Sequence, residues 1–145
     1  MDPYFRRLQL EVGDPMTREA IELVYREIYD EDVPATKIAL KTMQWCGASA
    51  YALTDGENGQ ALLAYGSLRD SGCSIPEVYL DELVVAPKYR GQGLGRVMLL
   101  ELEAEARNNG FSFISLEPSV AAADFYAKYD YAPRPNSKRL VRKSL

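Results

Sequence analysis

The sequence predicts a mixed α+β fold in a single domain over residues 1–145. Segments in which apolar residues alternate, as in β-strands, are interspersed with segments in which they recur at helical spacing. The chain of 145 residues is long enough for one domain with a substantial core. Its residues are 47% apolar and 26% charged, which is typical of a globular protein. No repeat, low-complexity tract or linker divides it.

The first half of the chain is predicted to form a strand, two helices and a β-hairpin. Leu8, Leu10 and Val12 alternate on one side of the first strand, and a helix follows the break at residues 13–15. Thr17 is only a weak candidate for its N-cap because the Glu of a capping box is missing. The predicted ranges are 5–12 for the strand, up to about 29 for the first helix, 38–45 for the second helix, and 49–55 and 60–70 for the hairpin strands, which flank a glycine-rich loop.

The second half is predicted to contain a strand, a glycine-rich turn, a long helix and several shorter elements. The long helix places Val97, Leu100 and Ala104 on one face and ends at Gly110, a normal C-terminal stop. The predicted ranges are about 77–86 for the strand, 93–109 for the long helix, 111–117 for the next strand, 120–129 for a short helix, and one or two last strands around a turn at 133–136.

Composition excludes several classes of function. A net charge of −4 argues against general nucleic-acid binding. The chain has no histidine, so His-dependent triads and His metal sites are excluded, and no metal is predicted. No apolar run approaches the ~18 residues of a membrane span, and the N-terminus does not resemble a signal peptide. Cys46 and Cys73 form no framework pattern, so we expect free thiols and a cytoplasmic protein.

Residues 80–96 are the most informative stretch of the chain. An apolar run ends at Pro87, and the alternating Gly91, Gly93 and Gly95 lead directly into the long helix. Glycine allows positive φ and close approach to the main chain, and a helix N-terminus offers unpaired amides to an anion. Strand, glycine turn and helix together predict a site for a pyrophosphate.

Two common pyrophosphate motifs do not fit this turn. A P-loop needs Gly-Lys followed by Ser or Thr, whereas Gly95 is followed by Arg96 and Val97. A dinucleotide fingerprint, G-x-G-x-x-G, would need a third glycine where Arg96 or Met98 stands. The pattern that remains is Arg90-x-x-Gly93-x-Gly95 after an apolar strand.

That pattern resembles the signature of the GNAT superfamily of acyl-CoA-dependent N-acetyltransferases, [Gln/Arg]-x-x-Gly-x-[Gly/Ala]. Residues 122–131, AADFYAKYDY, are similar to the family's A-x-x-F-Y-x-K-x-G-F segment, and residues 141–145 resemble its terminal strand. The specific part of the resemblance covers about residues 80–131. It implies a mostly antiparallel mixed sheet of six to seven strands with about four helices, and transfer of an acetyl group from acetyl-CoA to a primary amine.

The resemblance also implies which residues hold acetyl-CoA as co-substrate. Main-chain groups of Leu83, Val84 and Val85 would pair with the amide-rich pantetheine, as a peptide pairs with a sheet edge. A side chain at Gly93 or Gly95 is expected to occupy the space of the diphosphate, and Lys88 and Arg96 are candidates to neutralise it. The residues implied at the pyrophosphate are Arg90, Gly91, Gln92, Gly93, Leu94, Gly95 and Arg96.

The chemistry requires the amine to lose a proton, since an alkylammonium has a pKa near ~10.4. Without histidine, a carboxylate is the expected acceptor, directly or through water. Glu82 and Glu117 are the candidates, with Asp81 behind them. Tyr126 matches the family's tyrosine, whose phenol would donate to the departing thiolate. Neither cysteine occupies a motif position, which favours direct attack in a ternary complex over a covalent acyl-enzyme.

The acceptor stays open, and so do two other functions. Acids in the loop at residues 29–32 are expected at one wall of the acceptor cleft, where they would attract a cationic small amine, antibiotic or peptide amine. The chain departs from the family pattern at Ser119, where Asn is common, and at Asp130-Tyr131, which replaces Gly-Phe. A non-catalytic acyl-CoA-binding module and a protein-interaction domain therefore remain alternatives. A homodimer through the terminal strands is plausible.

Overall fold

Seven strands and four α-helices form in the described part of the chain. A computed structural model describes residues 1–45 and 47–145, the side chain of Trp45 excepted. In chain order the elements are β1 (Pro3–Arg7), α1 (Pro15–Glu27), α2 (Thr36–Trp45), β2 (Ser49–Asp55), β3 (Leu62–Asp70), β4 (Glu77–Val85), α3 (Leu94–Asn108), β5 (Phe113–Leu116), α4 (Ala123–Lys128), β6 (Ala132–Pro133) and β7 (Val141–Ser144). Short 3-10 turns at Pro87–Tyr89 and Val120–Ala122 precede α3 and α4.

The strands form one sheet in the order β1-β2-β3-β4-β5-β7-β6. Four consecutive neighbours, β1 to β4, pair antiparallel, as do β5 with β7 and β7 with β6. β4 and β5 pair parallel, and α3 forms the crossover between them. The predicted fold class, a mostly antiparallel mixed sheet with about four helices, is confirmed.

The helices cover the two faces of the sheet in pairs. On one face α3 and α4 pack through Leu94, Met98 and Tyr126 against strand residues such as Val78 and Ile114. On the other face α1 and α2 pack over β2, β3 and the end of β4, through apolar side chains including Met16, Ala20, Val24, Met43, Tyr65 and Val84. Successive residues of β4 therefore contribute to different layers, as strand geometry requires.

The first strand is shorter than its sequence pattern suggests. The predicted strand over residues 5–12 is wrong in its bounds, because β1 ends at Arg7. Leu10 has a φ of 56°, which no β-strand accommodates. Leu8 is buried, whereas Val12 is 52% exposed, so the alternation of Leu8, Leu10 and Val12 does not define one face.

The first helix begins earlier than the weak Thr17 signal suggests. Asp14 is its N-cap, and Pro15 occupies the first helical position, where its missing N–H costs nothing. Asp14 carboxylate oxygens accept from Met16 N at 3.3 Å and Thr17 N at 3.2 Å, while the Thr17 hydroxyl donates to the same carboxylate at 2.7 Å. The prediction that Thr17 caps the helix is therefore wrong, and the helix ends at Glu27 rather than near Tyr29.

The buried face of α3 differs from the predicted one. Leu94, Met98, Leu102 and Ala106 recur every four residues and are buried together with Leu99. Leu100 is 40% exposed, so the predicted face of Val97, Leu100 and Ala104 is wrong at its centre. The helix therefore turns its stripe of Leu94, Met98 and Leu102 toward the sheet, where these side chains join the core.

The remaining general predictions have mixed outcomes. Cys73 is an exposed free thiol, as predicted, whereas Cys46 lies outside the described residues. Within the described ranges, none of the helices combines the length and the apolar character that crossing a membrane would need.

Candidate active site

The turn before α3 presents a row of main-chain donors. Among the described residues, no backbone or side-chain acceptor pairs with the amides of residues 91–96; the next amide, Val97 N, bonds to Gly93 O at 3.2 Å. Such amides lie at the positive end of the α3 dipole. A row of this kind is suited to hold a diphosphate.

Two of the three glycines are required by the backbone. Gly91 and Gly93 have φ values of 80° and 78°, in the left-handed region that favours glycine. A Cβ added at Gly93 would meet nothing within 4 Å, so it would project into open space. That a side chain there takes the place of the diphosphate stays a prediction.

Gly95 has a different environment. A Cβ added there would lie 3.6 Å from Phe125 Cζ and 3.7 Å from Val85 Cγ2, which are ordinary contacts. The direction is toward the packed core and not toward open space. The expectation of a direct clash with the diphosphate therefore does not hold for Gly95, where a small side chain fits and a long one would disturb Phe125.

Arg90 links this turn to two neighbouring elements. Its Nε donates to the Val85 carbonyl at 3.2 Å, and its Nη2 lies 2.7 Å from Glu27 Oε1 at the end of α1. Arg96 is exposed, and the Lys88 ammonium lies 5.6 Å from the ring centroid of Tyr89. The Arg90 guanidinium therefore connects the end of α1 to the end of β4.

β4 and β5 diverge after three paired residues. The parallel pairing runs only from Glu77 opposite Phe113 to Tyr79 opposite Ser115, although β4 continues to Val85. At the paired end, the buried Glu77 carboxylate accepts from Ser115 Oγ at 2.6 Å and from Arg134 Nε and Nη2 at 2.9 and 3.0 Å. The edge of β4 beyond Tyr79 is therefore open toward β5, and this gap includes Leu83, Val84 and Val85.

A β-bulge sets the side chains at the middle of β4. Ser67 of β3 lies opposite Glu82, but the next residue, Leu68, lies opposite Leu80, so Asp81 is the extra residue. Neighbouring residues of a regular strand point to opposite faces. The bulge instead allows Asp81 and Glu82 to line the same cleft.

Glu82 is oriented by hydroxyl groups. Its Oε2 accepts from Tyr29 Oη at 2.7 Å, and its Oε1 accepts from Ser67 Oγ at 2.9 Å and, more weakly, from Tyr65 Oη at 3.5 Å. Burial first, and the neighbouring Glu82 second, raise the pKa of Tyr29 and that of Tyr65 above the usual value. Both phenols stay protonated at neutral pH and act as donors to the carboxylate.

Two clefts meet beside this carboxylate. The first, of about 690 Å³, lies between α1, α2 and the sheet, and Glu82 is part of its lining. The second, of about 580 Å³, lies at the divergence of β4 and β5, and Glu117 lines it. Arg69 and Asp81 belong to both linings, so the two clefts adjoin there. A group that enters through the gap in the sheet can thus meet a molecule held in the first cleft near Asp81 and Glu82.

The predicted catalytic residues are distributed between these regions. Glu82 lies in the first cleft with Tyr29 and Glu31 of the predicted acceptor loop. Glu117 is exposed at the second cleft, and the structure does not bring it into contact with Glu82. Asp81 is held by Arg69, whose Nε and Nη2 lie 2.8 and 3.1 Å from its two oxygens.

Tyr126 lies on the α3–α4 side of the sheet. Its ring packs edge-on against Phe125 and Tyr131, with centroid distances of 5.1 and 5.6 Å. No described residue bonds to its hydroxyl, and that hydroxyl is not among buried polar atoms lacking a partner, so it reaches the protein surface. Burial raises the pKa of Tyr126 to about 12, which keeps the phenol protonated as a donor.

The two departures from the family pattern have clear structural consequences. Ser119 Oγ accepts from Ala122 N at 3.2 Å, so this hydroxyl caps the turn before α4. Asp130 has a φ of 72°, the conformation for which glycine is best suited. An aspartate tolerates this region better than most residues, so Asp130 can occupy the left-handed position in the turn after α4.

Sequence reasoning missed the partners that orient the cleft carboxylates. Tyr65, Ser67 and Arg69 alternate along β3 and all point toward the first cleft, but nothing in their spacing marks them as functional. The usable signal was the hairpin order, because it makes β3 the antiparallel neighbour of β4. The register itself depends on the bulge at Asp81, which the sequence does not reveal.

Comparisons with known proteins agree with this architecture. Over 62 residues the chain is 31% identical to glucosamine 6-phosphate N-acetyltransferase of Trypanosoma brucei brucei; the match covers 43% of this chain and 42% of that protein, less than half its length. An acetyltransferase structure from Trypanosoma brucei superposes with a TM-score of 0.70 at 20% identity, covering 95% of this chain and 98% of that chain. A GNAT family acetyltransferase from Brucella melitensis, in complex with acetyl-CoA, superposes with a TM-score of 0.68 at 16% identity, covering 99% and 88%.

The match to a family description decides the assignment. At such low identities the superposed structures show the shared fold. The description of the acetyltransferase (GNAT) family, in contrast, matches residues 16–131, most of the chain. It confirms the family predicted from the sequence and supports the predicted class of enzyme, an acetyl-CoA-dependent acyltransferase. The chain belongs to the acetyltransferase (GNAT) family.

Proposed function

We propose that this chain transfers an acetyl group from acetyl-CoA to a primary amine, by direct attack in a ternary complex. The observation that carries the proposal is the row of unpaired amides at residues 91–96, directly beyond the open end of β4. A diphosphate held there leaves the rest of the cofactor to follow the edge of β4 into the gap beside β5. That gap adjoins the cleft that contains Glu82.

The residues that would hold acetyl-CoA are those of the turn and of the open strand edge. The amides of residues 91–96 suit the diphosphate, and the edge of Leu83, Val84 and Val85 that faces away from β3 suits the pantetheine amides. Acetyl-CoA supplies the activated acetyl group as a thioester. Arg90, engaged with Val85 and Glu27, would act beside the diphosphate through its charge.

Proton transfer is the task of Glu82. Its carboxylate takes the first proton of the substrate ammonium, directly or through water, and the neutral amine then forms the N–C bond as the C–S bond breaks. The second proton, which the nitrogen loses as it becomes an amide, neutralises the departing CoA thiolate. The Tyr126 phenol, which has no protein partner among the described residues, donates a hydrogen bond to the departing sulfur. Glu117 at the second cleft remains the other candidate base.

Two measurements test this function. Acetyl-CoA at about 100 times its dissociation constant should stabilise the fold by about 2.7 kcal/mol, which a thermal shift detects. Release of the CoA thiol is then measured with a panel of small amines, peptides and amino sugars, glucosamine 6-phosphate among them. A thermal shift without thiol release would indicate a non-catalytic acyl-CoA-binding module. No shift at all would favour a protein-interaction domain, and ping-pong kinetics would contradict the ternary complex.

Three further predictions accompany the proposal. A single domain over residues 1–145, a homodimer and a cytoplasmic location stay predictions from the sequence. Sedimentation and limited proteolysis of the purified chain would test the first two.

A further inference from the structure

The first cleft combines an apolar wall with a charged floor. Its wall on the α1 and α2 side consists largely of apolar side chains: Ala20, Ile21, Val24, Tyr25 and Met43. Its floor is the sheet, from which Tyr65, Asp81 and Glu82 contribute. A volume of about 690 Å³ accommodates a small molecule with an organic body, since ligand sites of this size are common.

The lining of this cleft has more anionic than cationic side chains. Three carboxylates line it, those of Glu31, Asp81 and Glu82, and among its described lining residues Arg69 alone is cationic. Both oxygens of Asp81 are engaged by the Arg69 guanidinium, so these two charges offset one another. No described residue forms an ion pair with Glu31 or Glu82. The lining therefore carries a formal charge of −2.

The donors around Glu82 do not remove its charge. Tyr29, Ser67 and Tyr65 contribute neutral hydroxyls, which orient the carboxylate and bring no positive charge to it. An ammonium group is the ligand that matches a carboxylate held in this way beside an apolar wall. The phenol rings of Tyr25 and Tyr29, 5.7 Å apart and edge-to-face, add surfaces to which a cation is attracted.

We infer that the acceptor of this chain is a primary alkyl- or aralkylammonium ion that carries no anionic group. The inference rests on the proposed function and names its substrate class. The ammonium end lies at Glu82, next to the gap in the sheet, and the apolar body lies against the α1 and α2 wall. A phosphate or carboxylate on the acceptor would face Glu31 and Glu82 without a cation to receive it, because the guanidinium of the lining is already bound bidentately.

Matched pairs of amines test this selectivity. With acetyl-CoA fixed, thiol release is compared for phenethylamine against phenylalanine, and for hexylamine against 6-aminohexanoate; each pair differs by one carboxylate. We expect kcat/KM to be at least about tenfold higher for the amine without the carboxylate, because like charges in a partly buried site are strongly disfavoured. Equal rates, or a preference for the carboxylates or for a phosphorylated amino sugar, would overturn the inference and leave acetyl transfer intact.

A binding measurement separates this inference from the proposed function. Calorimetry with the same four amines on the protein saturated with CoA reports on the cleft without any turnover. Tighter binding of phenethylamine and hexylamine than of the two carboxylates supports the inference, even where no thiol is released. Binding without thiol release would contradict the proposed acetyl transfer but not the inferred ligand class. If none of the amines binds, or if the carboxylates bind equally well, the inference is wrong.

Glu31 offers a variant outside the Glu82 network. Glu31→Gln should raise KM for phenethylamine roughly two- to fivefold, the scale of one partly exposed charge, with kcat and the KM of acetyl-CoA unchanged. Glu31→Lys should reduce the ratio of kcat/KM for phenethylamine to kcat/KM for phenylalanine. Of the acids in the loop at residues 29–32, Glu31 lines the cleft, whereas Asp30 and Asp32 do not, so the expectation that they lie at this wall is wrong for those two. Asp32→Asn is therefore the matched control, because Asp32 is exposed in the same loop and outside the lining. An equal effect of the Asp32 variant would show that the loop charge acts at long range and would contradict a specific cleft.

Discussion

Glu82 has no cationic partner among the described residues. Neutral hydroxyl donors orient a carboxylate without offsetting its formal charge. The partners of Glu82 are hydroxyls from β3 and from the end of α1, and they fix its orientation while leaving its charge for the substrate. Both oxygens of the neighbouring Asp81 are engaged by the Arg69 guanidinium, so Asp81 is the poorer candidate to contact the substrate ammonium.

At Gly93 the positive φ and the open space around an added Cβ both bear on the proposed diphosphate site. Gly93→Ala places a Cβ at a φ of 78° and into the region proposed for the diphosphate. We expect acetyl-CoA affinity to fall by at least about tenfold, and the free energy of unfolding to fall by about 1–2 kcal/mol from left-handed strain. Calorimetry and denaturant unfolding measure the two effects.

Gly95→Ala is the matched control for this variant. The added methyl group finds ordinary contacts with Phe125 and Val85, and the φ of Gly95 is not in the left-handed region. Acetyl-CoA affinity and stability should therefore change little. A Gly93→Ala protein that binds acetyl-CoA as well as Gly95→Ala would contradict the proposed diphosphate site.

Tyr126 is predicted to affect the rate of acetyl transfer and not the affinity for acetyl-CoA. Tyr126→Phe keeps the ring that packs between Phe125 and Tyr131 and removes only the hydroxyl. Loss of a donor to the developing thiolate should lower kcat on the order of 10²-fold, with acetyl-CoA affinity and melting temperature nearly unchanged. Steady-state kinetics and calorimetry on the variant decide this, and full activity would exclude Tyr126 from the mechanism.

At the scale of elements, the gap between β4 and β5 depends on how the two strands are joined where they still pair. Glu77 is fully buried there, and Arg134 from the β6–β7 connection binds it bidentately. The hydrogen bonds of Arg134, and next those of Ser115, hold the pKa of Glu77 below its ordinary value despite its burial. This cluster joins three elements at the closed end of the gap.

The Glu77 cluster predicts a pH dependence of stability. Since its folded-state pKa is depressed, Glu77 stabilises the fold above its unfolded pKa, and the contribution is lost as pH falls below about 4.3 through the folded value. Glu77→Gln should lower the free energy of unfolding at pH 7 by roughly 2–3 kcal/mol and flatten its fall in the acid range. Denaturant unfolding from pH 7 to 3 measures both.

The exposed Glu57 provides the control for this pH dependence. Glu57→Gln in the hairpin loop should leave both the stability at pH 7 and the acid slope as in the native protein. If Glu77→Gln loses as much stability per pH unit in the acid range as the native chain does, another carboxylate controls acid unfolding.

The elements that could be predicted from sequence are those whose signals are local. The strands of the hairpin and the turn before α3 follow from alternation and from glycines that the backbone needs, so β2, β4 and α3 lie within a residue or two of their predicted ranges. The predicted first strand, residues 5–12, extends too far, because Leu10 continues the apolar alternation although its φ is positive. Alternation reports the side chains and not the backbone conformation.

The candidate site also has one part that could be predicted from the sequence and one that could not. The amide row could be predicted because one short segment, residues 91–96, contains all of it. The environment of Glu82 could not be predicted from the sequence. It depends on the register between β3 and β4, on the bulge at Asp81 and on where the chain leaves α1. Contacts between residues more than 50 positions apart, such as Tyr29 with Glu82, are set by tertiary packing.

At the scale of the whole molecule, the two functional regions share one charged link. α1 contributes Tyr29 just beyond its end to the cleft carboxylate and Glu27 in its last turn to Arg90. Arg90 immediately precedes the amide row and also donates to the end of β4. The proposed cofactor site and α1, which lines the first cleft, are therefore joined through the Arg90–Glu27 ion pair.

This link predicts opposite effects of its two partners on cofactor affinity. In Glu27→Gln the Arg90 guanidinium loses the carboxylate 2.7 Å away, so its charge acts fully on the diphosphate and acetyl-CoA should bind roughly two- to fivefold more tightly. In Arg90→Gln the Glu27 charge is left unpaired near the same anion, and affinity should fall by at least that factor. Calorimetry on the native protein, the two single variants and the double variant gives a double-mutant cycle for acetyl-CoA binding. The coupling free energy between Arg90 and Glu27 should exceed about 0.5 kcal/mol, the lower limit for groups in contact. Additive effects, or a Glu27→Gln protein with weaker affinity, would show that the pair only fastens α1 to β4 and does not tune the diphosphate site.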